Sequence, residues 1–309
     1  MSSSFPGRDP FSGLRAPITK EEILCTRKLR VVGKLSSYAK SAVVAIAMPL
    51  HNQASTLYCA LESALSQTLT EGRCAVVLLD DQSTDDWRTE IADLIEHPAL
   101  ILLGGHCGSA AQARNAILDF VESDLPNARW IARLDPDDLL CSSNSVDTLV
   151  SAGESKQASF VLGSNYLERD RIPVKPDNIA NPDTLLDRER LVQFIEAFCL
   201  GNAANELPSC NLLIRTKCGI RYPSIRSAED HWLVAQLLFF RANEAAIVPY
   251  PLYCHYSLRG QTTKNNEKIG AHRRVREELA SACRTWLASC SEQGEFLGFG
   301  MEGCVWRQG

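Results

Sequence analysis

One short phrase near the middle of the chain, Arg133-Leu134-Asp135-Pro136-Asp137-Asp138, concentrates the residues best suited to chemistry. An apolar lead-in, Trp130-Ile131-Ala132, delivers its three carboxylates to the end of a buried strand. Strand side chains alternate faces, so Asp135 and Asp137 share one side and Asp138 takes the other. Two carboxylates converging at a strand end suit a hard divalent cation, Mn²⁺ or Mg²⁺, which keeps open positions for substrate phosphates. The competing reading is an acidic turn, because Asp and Pro are common turn residues.

Such a phrase needs a scaffold. Apolar runs over residues 43–48, 74–79, 100–103 and 129–134 read as strands, with helical patterns over 55–67, 84–96 and 110–123 between them. The resulting order, β-α-β-α-β-α-β, argues for an α/β fold with a mostly parallel central sheet covered by helices on both faces. Ligands of such sheets bind beyond the carboxyl ends of the strands, and Asp80-Asp81 and Asp135–Asp138 both stand at such ends. After Asp138 the sequence reads as a helix over 145–152, a short strand over 159–162 and a Pro/Asn/Asp-rich loop over 173–182. A helix over 188–200, a strand over 210–215, an apolar helix over 227–241 and a last strand over 247–253 complete the series. A basic helix covers about 270–289. Residues 1–18 read as a flexible arm and 19–40 as a charged helical segment, so three parts are expected: an extension over 1–40, a domain over 41–256 and a helical tail over 257–309.

Composition narrows the class. A length of 309 residues fits one core with extensions or two domains. The net charge of −5 argues against a nucleic-acid binder that relies on phosphate contacts, yet leaves room for a nucleotide held through a metal ion. The 12 cysteines have no C-x-x-C pair and no Cys/His ligand spacing, and read as reduced, mostly buried thiols. No segment approaches the roughly 18 apolar residues that span a bilayer, and residues 1–10 carry no apolar signal region. The chain is therefore expected to be cytoplasmic, with at most peripheral contact with a membrane.

Four phrases stand in order after successive elements: Met48-Pro49-Leu50-His51-Asn52, Leu79-Asp80-Asp81-Gln82-Ser83-Thr84-Asp85, Ala113-Arg114-Asn115 and Leu134-Asp135-Pro136-Asp137-Asp138. A fifth, Ala228-Glu229-Asp230-His231-Trp232, opens a later helix. Over residues 41–256 this series resembles the family 2 glycosyltransferases of GT-A (Rossmann-like) fold, which invert the anomeric centre of nucleotide-sugar donors.

The resemblance implies roles. Pro49, Asn52, Asp80 and Asp81 would floor the nucleoside site, with Asp81 or Asp80 accepting a hydrogen bond from the base. Arg114 would approach the diphosphate or hold the acidic loop. Asp135 and Asp137 match the family's D-x-D, contacting the donor and the metal, with His255 as a further metal ligand. Like charges at about 4 Å repel by roughly 4 kcal/mol at an effective dielectric near 20, so a diphosphate needs a cation here on electrostatic grounds too. Asp230, second of the Glu-Asp pair, would be the general base that takes the acceptor's hydroxyl proton. Against these stand structural readings: Ser83 and Asp85 as caps of the following helix, Ser227 to Asp230 as a capping pattern, Arg114 as an ion pair. The acceptor would be a hydroxyl of a glycan, lipid-linked sugar or small molecule.

Two features point elsewhere. A nucleotidyltransferase would want a Gly-rich basic loop after the first strand, where Pro49-Leu50-His51-Asn52 has none, and a degenerate binding module would lack candidate acids that are all present here. Gly298, Gly300, Gly303 and Val305 match the glycine loop that opens a kinase-like domain, but no room follows for its catalytic residues.

Overall fold

The computed structural model describes residues 29–169, 172–177, 179–203, 207–225, 227–255 and 271–293. The apolar runs form strands β1 (Arg30–Val32), β2 (Val44–Leu50), β3 (Cys74–Asp81), β4 (Leu100–Gly105), β5 (Trp130–Arg133), β6 (Leu139–Leu140), β7 (Phe160–Arg169), β8 (Ile172–Asp177), β9 (Leu212–Arg215) and β10 (Ala245–His255). The helices are α1 (Ser37–Lys40), α2 (Ala54–Leu65), α3 (Trp87–Glu90), α4 (Ala110–Asp124), α5 (Ser145–Ser155), α6 (Pro182–Leu185), α7 (Arg188–Cys199), α8 (Glu229–Arg241) and α9 (Ala271–Gln293).

All the strands join one sheet, ordered β1-β4-β3-β2-β5-β9-β7-β10-β6, with β8 beside β7. The block β4-β3-β2-β5 is parallel throughout. β9 then runs antiparallel to both β5 and β7, and β10 runs parallel to β7. Six strands therefore point the same way, and their carboxyl ends line one edge. Alternation along β2 divides two cores: Val44, Ile46 and Met48 pack with Leu57 and Leu61 of α2 and Leu149 of α5. Ala45 and Ala47 face Ile117 and Val121 of α4, together with apolar residues of α7 and α8. Helices thus cover both faces, as the period-two pattern requires.

Three segments depart from expectation. Residues 84–96 were expected to be helical, yet only α3 forms and turns come after it. Trp87 and Ile91 sink into the core while Asp85 is drawn away to cap α2, which bends the segment at both ends. Instead of a loop, residues 172–177 form β8. Proline fits there because, among the described residues, β8 pairs only with β7, so a missing N–H on the outer side breaks no ladder. Residues 30–32, assigned to the N-terminal extension, pair with β4 and add an edge strand.

The tail's helix is seated firmly. Leu279, Ala280, Cys283 and Trp286 of α9 enter the core. The Trp286 ring lies 5.1 Å from Phe240, 5.4 Å from Phe239 and 6.3 Å from Trp232, all on α8. Among the described residues no helix is long and apolar enough to cross a membrane, and no described cysteine is in a disulfide. The glycine-rich segment 298–305 lies outside the described residues. Trp286→Ala should lower stability by about 3–5 kcal/mol, the usual cost of emptying a buried tryptophan site. Urea unfolding of the two chains checks this.

Candidate active site

The phrases Pro49–Asn52 and Asp80–Asp85 meet at the ends of β2 and β3. Asn52 adopts a left-handed backbone (φ 55°), as does Gln82 (φ 58°). The Asn52 N–H donates to Ser83 Oγ (3.1 Å), and Asn52 Oδ1 accepts from the Thr84 N–H (2.7 Å). Asn52 therefore stitches the two loops together. Pro49 is the penultimate residue of β2, and His51 Nδ1 lies 2.7 Å from the Asp81 carbonyl. Asp85 Oδ2 accepts from the Ala54 N–H (2.7 Å) and so caps α2, not the helix next to it in sequence.

The two acids ending β3 differ. Asp80 Oδ1 accepts from the Ser83 N–H (2.9 Å), a tight local turn. Asp81 is buried and reaches across to the β4–α4 loop, accepting from the Cys107 N–H (2.5 Å) and the Gly108 N–H (3.1 Å). Gly108 has φ 77°, which suits glycine and brings its N–H close to the carboxylate. Each carboxylate oxygen still has a lone pair for a ligand N–H, since each accepts one bond where two fit.

The D-x-D and Glu-Asp phrases converge through two arginines. Arg114 on α4 places Nη2 3.0 and 3.1 Å from the two Asp135 carboxylate oxygens, and its Nη1 pairs with Glu229. Arg133, the last residue of β5, donates to Asp135 from Nε (3.2 Å) and Nη2 (2.5 Å). Its Nη1 donates to Asp230 Oδ2 (3.1 Å) and to the Ser209 carbonyl (2.8 Å). Ser209 Oγ–H adds a second bond to Asp230 Oδ2 (3.0 Å), and the His231 N–H donates to Asp230 Oδ1 (2.8 Å). A continuous chain, Glu229–Arg114–Asp135–Arg133–Asp230, links α4, β5, the loop after it and the first turn of α8. The sequence alone gave no role to Arg133, Glu229 or Ser209. The available signal was an arginine closing an otherwise apolar strand, which must find carboxylates to be buried.

Electrostatics arise from this geometry. Burial alone would raise the Asp135 carboxyl, but Arg114 and Arg133 outweigh it and hold the group well below the usual carboxylate range. For Asp230, burial is likewise outweighed by His231, Arg133 and Arg114, and the group lies well below its ordinary value. Asp230 stays ionised, and 19% of its side chain remains exposed, enough for a substrate hydroxyl to reach it. The α8 N-cap is Ala228, left-handed at φ 55° and with no side-chain cap, so Ser227 to Asp230 do not form the capping pattern. That backbone position is strained for alanine and turns Glu229 and Asp230 inward.

The fit to a metal ion is selective. Both Asp135 oxygens are engaged by guanidinium groups, which leaves Asp135 a poor ligand despite its place in the motif. Asp137 lies half-buried two residues on. The His255 side chain lies outside the described residues, although its backbone ends β10 beside Leu167. Among the described residues no group of three or more His, Cys, Asp or Glu is placed to hold a metal.

A mostly parallel sheet with an antiparallel strand beside β5, and acids gathered at its carboxyl edge, is the architecture of a GT-A glycosyltransferase. The family model described as Glycosyl transferase family 2 matches residues 45–218, more than half of the chain. The chain belongs to that family. An Escherichia coli relative, UDP-Glc:alpha-D-GlcNAc-diphosphoundecaprenol beta-1,3-glucosyltransferase WfaP, is 30% identical over 128 residues, covering 41% of this chain and 48% of that protein. The chain thus spans about half the length of that curated relative. TarS residues 1–349 from S. aureus, crystallised with UDP-GlcNAc, superpose with TM-score 0.55 at 15% identity over 82% of this chain and 76% of that one. Glucosyl-3-phosphoglycerate synthase from Mycobacterium tuberculosis, with Mn²⁺, UDP and phosphoglyceric acid, gives 0.52 at 15% identity over 81% of each chain.

Both buried acids titrate lower in the folded than in the unfolded chain. Each contributes stability that is complete above the unfolded value near about pH 4 and is lost as pH falls towards the folded value. The urea midpoint should hold steady from about pH 8 to 5 and drop below about pH 4. Arg133→Met should lower stability by about 3–5 kcal/mol at neutral pH, because it strands two carboxylates. The same urea titration reads both effects.

Proposed function

We propose that the chain transfers a sugar from a nucleotide-diphosphate sugar to an acceptor hydroxyl with inversion at the anomeric carbon. The observation that carries this reading is the bridge from Asp135 through Arg133 to Asp230. It ties the donor-side loop to the carboxylate best placed to act as base. Asp230 takes the hydroxyl proton as the acceptor oxygen attacks the anomeric carbon from the face opposite the leaving diphosphate. Its two oxygens already accept three bonds, which leaves one of about four lone-pair sites to receive the acceptor O–H. Arg133 and Ser209 fix the direction of that carboxylate, so its proton-accepting lone pair is aligned before substrate arrives.

On the donor side, Asp80 or Asp81 receives a base N–H, with Pro49 and Asn52 shaping the floor beneath it. Arg114 steadies Asp135, whose orientation sets the loop that carries Asp137. Asp137 is the residue we assign to Mn²⁺ or Mg²⁺, with His255 as a further candidate. The ion, when bound, offsets the charge gathering on the departing diphosphate. Uridine is the nucleoside that the relatives favour: the E. coli relative is named for UDP-glucose, and both structural relatives were crystallised with a uridine nucleotide. For the acceptor we propose a carbohydrate hydroxyl, since the E. coli relative is named for a sugar linked to a lipid diphosphate. The reaction would then run in the cytoplasm, meeting a lipid-linked acceptor at the membrane surface. The parts are proposed as an extension over 1–40, the catalytic domain over 41–256 and a tail over 257–309.

Calorimetry with UDP, GDP, CDP and dTDP, each with Mn²⁺ and with chelator, tests the donor side. UDP should bind selectively, and only with metal, and Asp137→Ala should lose that binding. Asp230→Asn should keep it while sugar transfer falls about 10²–10⁴-fold, the usual worth of a general base. Transfer that survives in Asp230→Asn would remove Asp230 from the role of base.

A further inference from the structure

The segment Ser209-Cys210-Asn211 holds Asp230 and Arg133 through Ser209, and it is itself tied to β7 by side chains where the ladder ends. β9 pairs with β7 as far as Leu212 and Leu162. One more backbone bond follows, from the Gly163 N–H to the Asn211 carbonyl (2.9 Å). There two asparagines take over. Asn211 Nδ2 donates to the Ser164 carbonyl (2.9 Å), and Asn165 Nδ2 donates to Cys210 Sγ (2.8 Å). The β7 end of these ties is anchored in turn. Ser164 Oγ donates to the Val248 carbonyl of β10 (3.2 Å) and accepts from the Ala180 N–H (2.8 Å).

Asn165 and Asn211 are fully buried, yet neither side-chain oxygen has a partner among the described residues. A buried acceptor left without a partner costs stability. Leucine would fill the Asn211 position without that cost, so what the amide contributes is its directed N–H. Gly163 makes the arrangement possible, because a Cβ there would stand 2.2 Å from Asn211 Nδ2. The amide occupies space against β7 that any other residue at 163 would take.

At the other end of the segment, Ser209 Oγ donates to Asp230 Oδ2 (3.0 Å), and the Ser209 carbonyl accepts from Arg133 Nη1 (2.8 Å). We propose that Asn211 is a positioning residue for sugar transfer. By tying its segment to Ser164 it fixes Ser209, and through Ser209 the direction in which Asp230 receives the acceptor proton. Asn165 supports the same segment one residue nearer, at Cys210. The role in transfer rests on the reading of Asp230 as base; the mechanical link from Asn211 to the Asp230 carboxylate does not.

The test is Asn211→Leu in the full chain, which keeps a branched side chain and removes the N–H. UDP with Mn²⁺ should bind as before, while kcat falls about ten- to a hundredfold, the effect of a small misplacement at a reacting group. Ser209→Ala should lower kcat in the same way. Residues that act through one network do not multiply their effects, so the double variant should fall well short of the product of the two single losses. A full product overturns the proposal, and so does a kcat in Asn211→Leu within about twofold of the wild type. The carboxyl carbon resonance of Asp230, identified by its loss in Asp230→Asn, gives a readout without turnover. It should move in Asn211→Leu in the same direction as in Ser209→Ala, and an unmoved resonance overturns the proposal even where kcat falls. If Asn211→Leu does not fold, Cys210→Ala removes the neighbouring tie with little change of volume. It should show the same shortfall when combined with Ser209→Ala, and a full product there overturns the proposal. If the wild type transfers no sugar, or Asp230→Asn still does, the role in transfer falls with the reading of Asp230 as base. The resonance then still decides whether Asn211 directs Asp230.

Discussion

Two guanidinium groups buried among three carboxylates hold the working edge of this protein together. Neither arginine could be buried alone, since the desolvation of an unpaired charge exceeds what packing returns. Arg133 is committed by position: it ends β5, whose backbone is locked on one side by β2 and on the other by β9. Arg114 is committed by α4, a 15-residue helix with a Ser109 N-cap whose Oγ accepts from the Gln112 N–H (3.2 Å). With both cations fixed to rigid elements, Asp135, Glu229 and Asp230 have little freedom to be elsewhere. Such a network adds less to stability than its gross attraction suggests, because desolvation offsets much of it. Its effect here is on geometry: it fixes where the carboxylates at this edge stand.

Local strain gathers at the same edge. Of the five described non-glycine residues with a left-handed backbone, Asn52, Gln82 and Ala228 lie in the loops that follow β2 and β3 and that open α8. A non-glycine residue in that region costs on the order of 1 kcal/mol or more, and it persists only where its surroundings dictate it. At Asn52 the compensation is visible in the bonds to Ser83 and Thr84. At Ala228 it comes from the two acids beside it: Glu229 meets Arg114 and Asp230 meets Arg133.

Much of this was legible in the residues. The strand-helix alternation up to Asp138 announced itself through apolar runs, and β2, β3, β4 and β5 fall within a residue or two of where periodicity puts them. The phrases around Asp80, Arg114, Asp135 and Asp230 marked the edge at which they meet. Partnership was not legible. Arg133 and Asp230 are 97 positions apart, and Arg114 and Glu229 are 115 apart, so no local pattern joins them. Caps were misread for a related reason: Asp85 looked like the start of its own helix, yet it serves α2, the helix before β3. β8 was hidden by its prolines, which speak against a central strand but not against an edge. In each case the missing information was which distant element would arrive alongside.

The antiparallel strand β9 has a consequence for the order in which the molecule can be completed. It fills the gap between β5 and β7, yet it comes after both in the chain. A ribosome that has produced only the first 200 residues has made the whole β4-β3-β2-β5 block, with one flank of β5 still unpaired. An open hydrogen-bonding flank next to an apolar core is the kind of surface that sticks to other chains. Only when residues 212–215 emerge does that flank close, and Glu229 and Asp230 follow soon after in the chain. Closure of the sheet and delivery of the acid pair that opens α8 are therefore nearly one event during synthesis. A chain cut short before it would lack its central seam as well as those acids.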